Sequence, residues 1–348
     1  MTKVTSVSQI DLSIVIVSYN VRELLAQCLE SVISNQYSVV SSQSSGQHLN
    51  TEHSTLNTEL FVVDNASRDG SAALVRERFP SVRLIENADN RGFAAANNQA
   101  FAETRGRYVL MLNPDTVVRP GALETLVKFM DAHPRAGVCG GKLLYADGTL
   151  QHSAFAFPTL AQIFLDFYPL NRRLTDSRLN GRYPRAWYTR GEPFQIDHPL
   201  GADLMIRREV VDPALSSGIA QQVGWLDNEF FIYCEEIDWC IRIKRAGWQI
   251  WCVPQAEIVH HEAQSTRHTS RRDAMFVELW RARFRLFDKH YSRAFRWAAR
   301  QIVRAGLWNL ARKARGAAQR GVVTQDEMER RLAAYSQVQG LIQERSNV

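Results

Sequence analysis

Asn113-Pro114-Asp115 follows directly on the apolar run Tyr108-Val109-Leu110-Met111-Leu112, which hangs a carboxylate on the tip of a buried strand. A carboxylate so placed can hold a divalent cation against a diphosphate. The same tripeptide is an ordinary turn, so its chemistry rests on what else the chain carries. Glu235, Glu236 and Asp238 put three carboxylates within four residues, directly after the aromatic run Phe230-Phe231-Ile232-Tyr233. Acids suit the first turn of a helix for dipole reasons. Three this close also raise the pKa of at least one of them, as a general base requires. His260-His261, just past Trp251-Cys252-Val253-Pro254, reads either as a surface pair or as a source of ligands.

Two further apolar runs end in polar groups, one in Ser18-Tyr19-Asn20 and one in Asp64-Asn65-Ala66-Ser67-Arg68-Asp69-Gly70. With Asn113 and Asp115 they gather at the carboxyl edge of one sheet, where open α/β sheets bind ligands. Turn and cap chemistry accounts for each singly, and Asp69 suits a helix N-cap. Asn90-Arg91-Gly92-Phe93-Ala94-Ala95-Ala96-Asn97-Asn98 sets a Gly and small residues at a helix start. There the backbone can approach a ligand and amides can face an anion, or the helix can simply pack tightly. Neither Gly-x-Gly-x-x-Gly nor a phosphate-loop Gly-Lys-Ser/Thr occurs nearby, which argues against a dinucleotide or ATPase site.

The elements that must position these groups follow from periodicity. Leu12-Ser13-Ile14-Val15-Ile16-Val17 is the continuous run of a strand covered on both faces, and Leu24, Leu25, Cys28, Leu29, Val32 and Ile33 then carry helical spacing. Strands over 60–63, 82–86, 107–112 and 137–143 alternate with helices over 70–79, 92–104 and 120–132. That rhythm predicts an α/β fold with a parallel sheet wrapped by helices. Residues 38–58 are polar and read as a surface insertion. Residues 150–195, aromatic and rich in Pro and Arg, break the rhythm and suit an irregular, acceptor-side region. Strands near 195–206 and 248–253 flank a helix over 235–246.

The totals fit a globular protein: 348 residues, 45% hydrophobic and 22% charged. Five cysteines without zinc-type spacing read as reduced core thiols of a cytoplasmic protein. No cationic start precedes a long apolar stretch and no eighteen apolar residues run together, which argues against secretion and a spanning helix. The net charge of +6 is a property of the tail, since residues 271–320 hold 14 Lys/Arg against 3 Asp/Glu.

Together these segments resemble the family 2 glycosyltransferases, and within them the bacterial rhamnosyltransferase-type branch that builds cell-surface polysaccharides. The matching stretches are Ser13 to Asn20, Val63 to Ser71, Asn90-Arg91-Gly92-Phe93, Leu112-Asn113-Pro114-Asp115, Gly201-Ala202 and Phe230 to Arg242, covering residues 12 to about 262 in order. The resemblance implies an inverting enzyme with a single nucleotide-binding GT-A type catalytic domain over 1–265, its sheet mixed but mostly parallel, and a basic amphipathic helical tail over 266–348. It implies that Ser18, Tyr19 and Asn20 border a nucleotide, with Asn65, Asn90, Gly92, Asn97 and Asn113 nearby, and that Asp64 meets a pyrimidine ring nitrogen. Asp115 would hold magnesium or manganese on the diphosphate, with His260 as a further ligand. Glu236 stands eleven residues before Gly247-Trp248, the family's spacing for the base. The family has Asp where Glu236 stands, and Asp227 is followed by Asn228 rather than Glu, so Glu235 and Asp238 remain alternatives for the base. Gly201, Ala202, Trp225 and Arg242 are candidates for substrate contact.

The expected reaction takes a sugar, rhamnose among the candidates, from a dTDP- or UDP-type donor to a hydroxyl of a growing polysaccharide or lipid-linked glycan. A lone base suffices because the leaving group is already matched to a cation. A sugar nucleotidyltransferase would need a Gly-rich loop after the first strand, which Ser18-Tyr19-Asn20-Val21-Arg22-Glu23 lacks. A nucleic-acid binder using the basic tail is the alternative from another class, but no nucleic-acid module is visible, so no nucleic acid is expected as a partner. The tail stripe Phe276, Trp280, Phe284, Phe287, Tyr291, Phe295, Ala298 and Ile302 predicts a packing face in its first half. Its second half, with Trp297, Trp308 and the arginines between, suits an interfacial helix on anionic lipid. That predicts a peripheral protein on the inner face of the cytoplasmic membrane.

Overall fold

The computed structural model describes residues 9–37, 56–212, 214, 215, 223–261 and 269–344. Its strands are β1 (Leu12–Ser18), β2 (Thr58–Asp64), β3 (Arg83–Glu86), β4 (Tyr108–Leu112), β5 (Thr116–Val118) and β6 (Ala136–Leu144). They continue with β7 (Leu150–Gln151), β8 (Ala154–Phe155), β9 (Phe194–Gln195), β10 (His198–Pro199), β11 (Asp203–Arg207) and β12 (Gln249–His260). The main sheet runs β3-β2-β1-β4-β11-β6-β12-β5. β3, β2, β1 and β4 are parallel neighbours, as are β6 and β12, while β11 lies antiparallel between β4 and β6.

Both faces are covered, which is why the strands read as continuous apolar runs. Ile14 and Ile16 of β1 face one layer, built on helices Arg22–Tyr37, Ser71–Arg78 and Ala122–Ala132. Val15 and Val17 face the other, built on helices Phe93–Phe101 and Glu235–Arg245. Asp69 joins two helix starts. Its carboxylate accepts from the Arg22 amide at 2.8 Å and from the Ser71 amide at 3.0 Å, while Gly70 holds the N-cap position itself.

Three features depart from the sequence reading. The 150–195 region is built of short elements rather than irregular chain: β7, β8 and helices Leu160–Phe167, Arg172–Thr175 and Arg185–Arg190. Its longest helix is opened by a capping box of Thr159 and Gln162. The polar insertion is shorter at its end, because Leu56 packs on the core, Asn57 bonds Asp11 and β2 begins at Thr58; residues 38–55 lie outside the described residues. The tail stripe is broken at Ser292, whose side chain accepts from the Phe295 amide at 3.3 Å and starts a new helix.

Helices Thr269–His290, Arg293–Gln319 and Gln325–Glu344 form a third layer. Its core joins Trp280, Phe284, Phe287, Val303, Leu307, Val338 and Ile342 to Phe167, Phe230, Cys234 and Ile241 from earlier in the chain. Phe167 stacks on Trp280 at 5.2 Å and presses against Gly306, where a Cβ would lie 2.2 Å from the ring. Part of the tail's positive charge is spent inward: Arg285 pairs with Glu229, and Lys289 pairs with Asp227 and Asp238, each at 2.7 Å.

Candidate active site

Ser18 and Asp64 end neighbouring strands in direct register, and both are buried. Asp64 Oδ2 accepts from the Ser67 amide at 3.0 Å. Ser18 Oγ, Asp64 Oδ1 and Asn97 Oδ1 have no hydrogen-bond partner within the protein. Buried polar atoms are normally satisfied, so the orphans at the two adjoining strand ends, Ser18 and Asp64, are what a polar ligand would complete. Asn20, at φ 55°, bridges the two strand ends by accepting from the Arg68 amide at 2.7 Å. Tyr19 stands exposed beside it. Asn65 is a hub that accepts from Asn87 and the Arg91 amide and donates to Asn90, fixing the turn before helix Phe93–Phe101. Its side chain is thereby committed to the scaffold.

Asp115 and His260 meet where β5 pairs with the end of β12, with Asp115 Oδ1 3.3 Å from His260 Nε2. The other imidazole nitrogen, Nδ1, lies 3.1 Å from Gln151 Oε1, an atom that can only accept. Gln151 Oε1 can take a hydrogen from Nδ1, which leaves Nε2 turned toward the carboxylate oxygen. An imidazole nitrogen and a carboxylate oxygen this close could share a cation as ligands. Among the described residues no third His, Cys, Asp or Glu joins the pair. A carboxylate with one other ligand, completed by phosphate oxygens, fits magnesium or manganese.

Glu236, in the first turn of helix Glu235–Arg245, lines a cavity of about 250 Å³ between the 155–200 region and the tail. Withdrawal from solvent pushes its carboxyl up to about 7. Glu235 is more deeply buried, its Oε2 has no partner, and burial together with the neighbouring Glu236 pushes it well above the carboxylate range. Just ahead of them Tyr233 and Cys234 take left-handed backbone, at φ 71° and 67°, and that pair of turns aims the helix start. A Cβ at Gly201 would lie 3.6 Å from Glu236 Cγ, and the next carbonyl, of Ala202, accepts from the Asn113 amide at 2.9 Å. Gly201-Ala202 thus links the Glu236 helix to the turn that carries Asp115.

Several sequence candidates are occupied by the scaffold. Asp238 is fully buried and bonds Arg242 at 2.8 Å and His290 at 2.7 Å; burial alone would raise its pKa, but these partners and Lys289 hold it down to about 2. A carboxylate so stabilised is a poor proton acceptor. Arg242 spends its guanidinium on Asp238 and on the carbonyls of Val223 and Trp225, so it holds a loop rather than a substrate. Trp225 lies against Phe101 at 5.4 Å, its ring tilted by 34°, as part of the packing. Ala202 is buried in the core and offers only backbone. Gly92, at φ 82°, is needed because Phe231 fills its space: a Cβ there would lie 2.6 Å from the Phe231 carbonyl oxygen, which also takes the Phe93 amide. The approach expected for a ligand at that helix start is made by the protein itself.

Sequence reasoning missed Gln151, which orients His260, and His290, which reaches Asp238 across 52 positions. It also missed Arg182 and Arg283, which line the cavity beside Glu236. Only the clustering of arginines near 182 and 283 hinted at the last two.

Residues 13–198 match the pattern of "Glycosyl transferase family 2", and residues 108–324 match "Glycosyl transferase family group 2". The chain is 30% identical over 227 residues to an N-acetylglucosaminyl-diphospho-decaprenol L-rhamnosyltransferase of Mycobacterium tuberculosis, covering 60% of this chain and 67% of that one. It is 27% identical over 211 residues to an O-antigen biosynthesis protein of Myxococcus xanthus, covering 60% of this chain and 15% of that one. In fold it is similar to a mannosyltransferase from Pyrobaculum calidifontis solved with GDP-Man and Mn2+, with a TM-score of 0.50 at 16% identity over 95% of this chain and 86% of that one. The mixed sheet with polar strand ends is accordingly of the GT-A type, and the nucleotidyltransferase and nucleic-acid readings give way. By the extent of the match over its own residues, this chain belongs to glycosyl transferase family 2 and is a glycosyltransferase.

Proposed function

We propose that the protein is an inverting, metal-dependent transferase that moves a sugar, rhamnose first among candidates, from a dTDP- or UDP-type donor to a hydroxyl of a lipid-linked or growing cell-surface glycan. The observation that carries this reading is Glu236: a cavity-lining carboxyl poised near neutral pH beside the Gly201-Ala202 link to Asp115. Glu236 would take the proton from the acceptor hydroxyl as that oxygen attacks the anomeric carbon from the face opposite the leaving diphosphate. Ser18, Asp64 and the neighbouring turn would seat the nucleotide. Asp115 and His260 would hold magnesium or manganese, which when bound offsets charge on the departing diphosphate. Glu235, protonated by its surroundings, would stay neutral behind the base.

The rhamnosyltransferase relative, named for a diphospho-decaprenol acceptor, supports a lipid-linked acceptor. Among the described residues no helix is long and apolar enough to cross a membrane. Peripheral attachment is supported by Trp297 and Trp308, exposed by 66% and 68% and eleven residues apart, hence on one face of helix Arg293–Gln319. Arg312 lies over the Trp308 ring at 5.5 Å, an aromatic and cationic pairing suited to an anionic lipid surface. The test is turnover of a panel of nucleotide sugars with manganese, reading the anomeric configuration of the product by NMR. Inversion with a dTDP- or UDP-sugar supports the reading; retention, or turnover undiminished by chelator, overturns it.

A further inference from the structure

We infer that the Glu236 cavity is a subsite for a sugar that carries a phosphate or diphosphate, and that Arg182 is the residue that recognises the anion, with Arg283 beside it. The inference rests on the transferase reading and specifies its acceptor. Three observations lead to it. First, the cavity is lined by two arginines, Arg182 and Arg283, together with Glu236. Arg283 is committed, pairing with Asp166 at 2.5 Å and lying over the Trp280 ring at 4.9 Å.

Arg182 is weakly compensated. Its ion pair with Asp176 is 4.0 Å long, and that carboxylate already accepts from Arg185 at 2.8 Å and His152 at 2.5 Å. Burial lowers the proton affinity of His198, also in the lining, to about 4, so it adds no charge at neutral pH. With Asp166 balancing Arg283, Arg182 is left as the weakly compensated cation that would favour an anion.

Second, a volume of about 250 Å³ falls just below the usual range for drug-sized ligands and suits a single sugar with its phosphate rather than a chain of sugars. Third, the backbone of Arg182 is fixed. Its amide donates to Ser177 at 3.0 Å and its backbone pairs with Phe155, a neighbour in the lining. A planar guanidinium rooted at a fixed backbone position can bind phosphate oxygens in a forked, directional manner.

The test is calorimetric titration of the full chain, in chelator, with N-acetylglucosamine 1-phosphate and with N-acetylglucosamine. The expected result is at least about tenfold tighter binding of the phosphorylated sugar, as one charge-assisted contact supplies. Arg182→Ala should erase that preference, Arg182→Lys should restore part of it, and Asp115→Asn should leave it unchanged. Equal affinity for the two sugars, or a preference that survives Arg182→Ala, overturns the inference. A preference lost in Asp115→Asn also overturns it, because the anion then belongs to the donor side. Nucleotide-sugar turnover by the wild-type chain is read in parallel. Turnover without the preference sinks the subsite alone, and the preference without turnover sinks the transferase reading alone.

Discussion

His290 Nε2 donates to Asp238 Oδ1 across 2.7 Å, joining the last turn of helix Thr269–His290 to the first turn of the helix that carries Glu236. Arg245 donates to the other nitrogen, Nδ1, at 2.8 Å, so the imidazole is used on both sides. Removing the buried partner strands Arg242 and Lys289 beside it. We expect Asp238→Ala to cost about 3–5 kcal/mol in urea unfolding, the range for breaking a buried ion pair. A loss under about 1 kcal/mol would show that the tail does not brace this helix.

The same carboxylate sets an acid limit. Its folded pKa of about 2 lies below the ordinary 3.8, so its contribution is present above the ordinary value and lost as pH falls toward 2. Stability of the wild type followed between pH 6 and 2 should therefore fall more steeply than that of Asp238→Ala.

Glu236→Gln should leave donor binding near normal and lower turnover by roughly a hundredfold or more, as for loss of a general base. Glu235→Gln should do far less, because burial beside Glu236 raises the Glu235 carboxyl and its side chain lies outside the cavity lining. With Glu236 at about 7, turnover under saturating substrates should rise with pH through that value as the base ionises. Residual activity in the Gln variant should lack this limb; a larger loss in Glu235→Gln would move the base to its neighbour.

Asp115→Ala should abolish the metal-dependent part of nucleoside-diphosphate affinity while far-ultraviolet circular dichroism stays native, since a strand-tip carboxylate serves the ligand more than the core. Gln151→Ala should weaken manganese binding by about 10- to 100-fold through the freed imidazole of His260. Calorimetry with manganese and UDP checks both, and unchanged affinities would remove the pair from the metal's coordination.

Truncation after Tyr291 would be a poor probe of membrane attachment, because it uncovers the core that Trp280 and Phe287 share with Val303 and Ile342. The double variant Trp297→Ser, Trp308→Ser spares that core. It should lower sedimentation with anionic liposomes at low salt, and high salt should release the wild type. Equal sedimentation of variant and wild type would assign this helix face to another role.

The parallel half of the fold was legible because β1, β2 and β4 announce themselves as unbroken apolar runs with polar ends. β11 was not, since its place between β4 and β6 depends on pairing across distant segments. Periodicity cannot express that. The short elements of 150–195 were hidden by their length, although Thr159 and Gln162 had the spacing of a capping box. The three acids before Trp239 were visible as a cluster. What separates them is their surroundings: His290, Arg242 and Lys289 claim Asp238, burial silences Glu235, and the cavity leaves Glu236 poised.

The lining of the Glu236 cavity is drawn from residues 155–200, 234–237 and 283–287, and none of it comes from the strand tips of β1, β2 or β4. A chain divided this way can change its clientele without retooling its supply. Substitutions at Gln162, Asn180, Arg182 or Phe287 alter what enters the cavity yet touch neither Asp64 nor Asp115. If the cavity takes the acceptor and the strand tips the donor, as proposed, acceptor choice could change in this framework while the nucleotide site stays as it is.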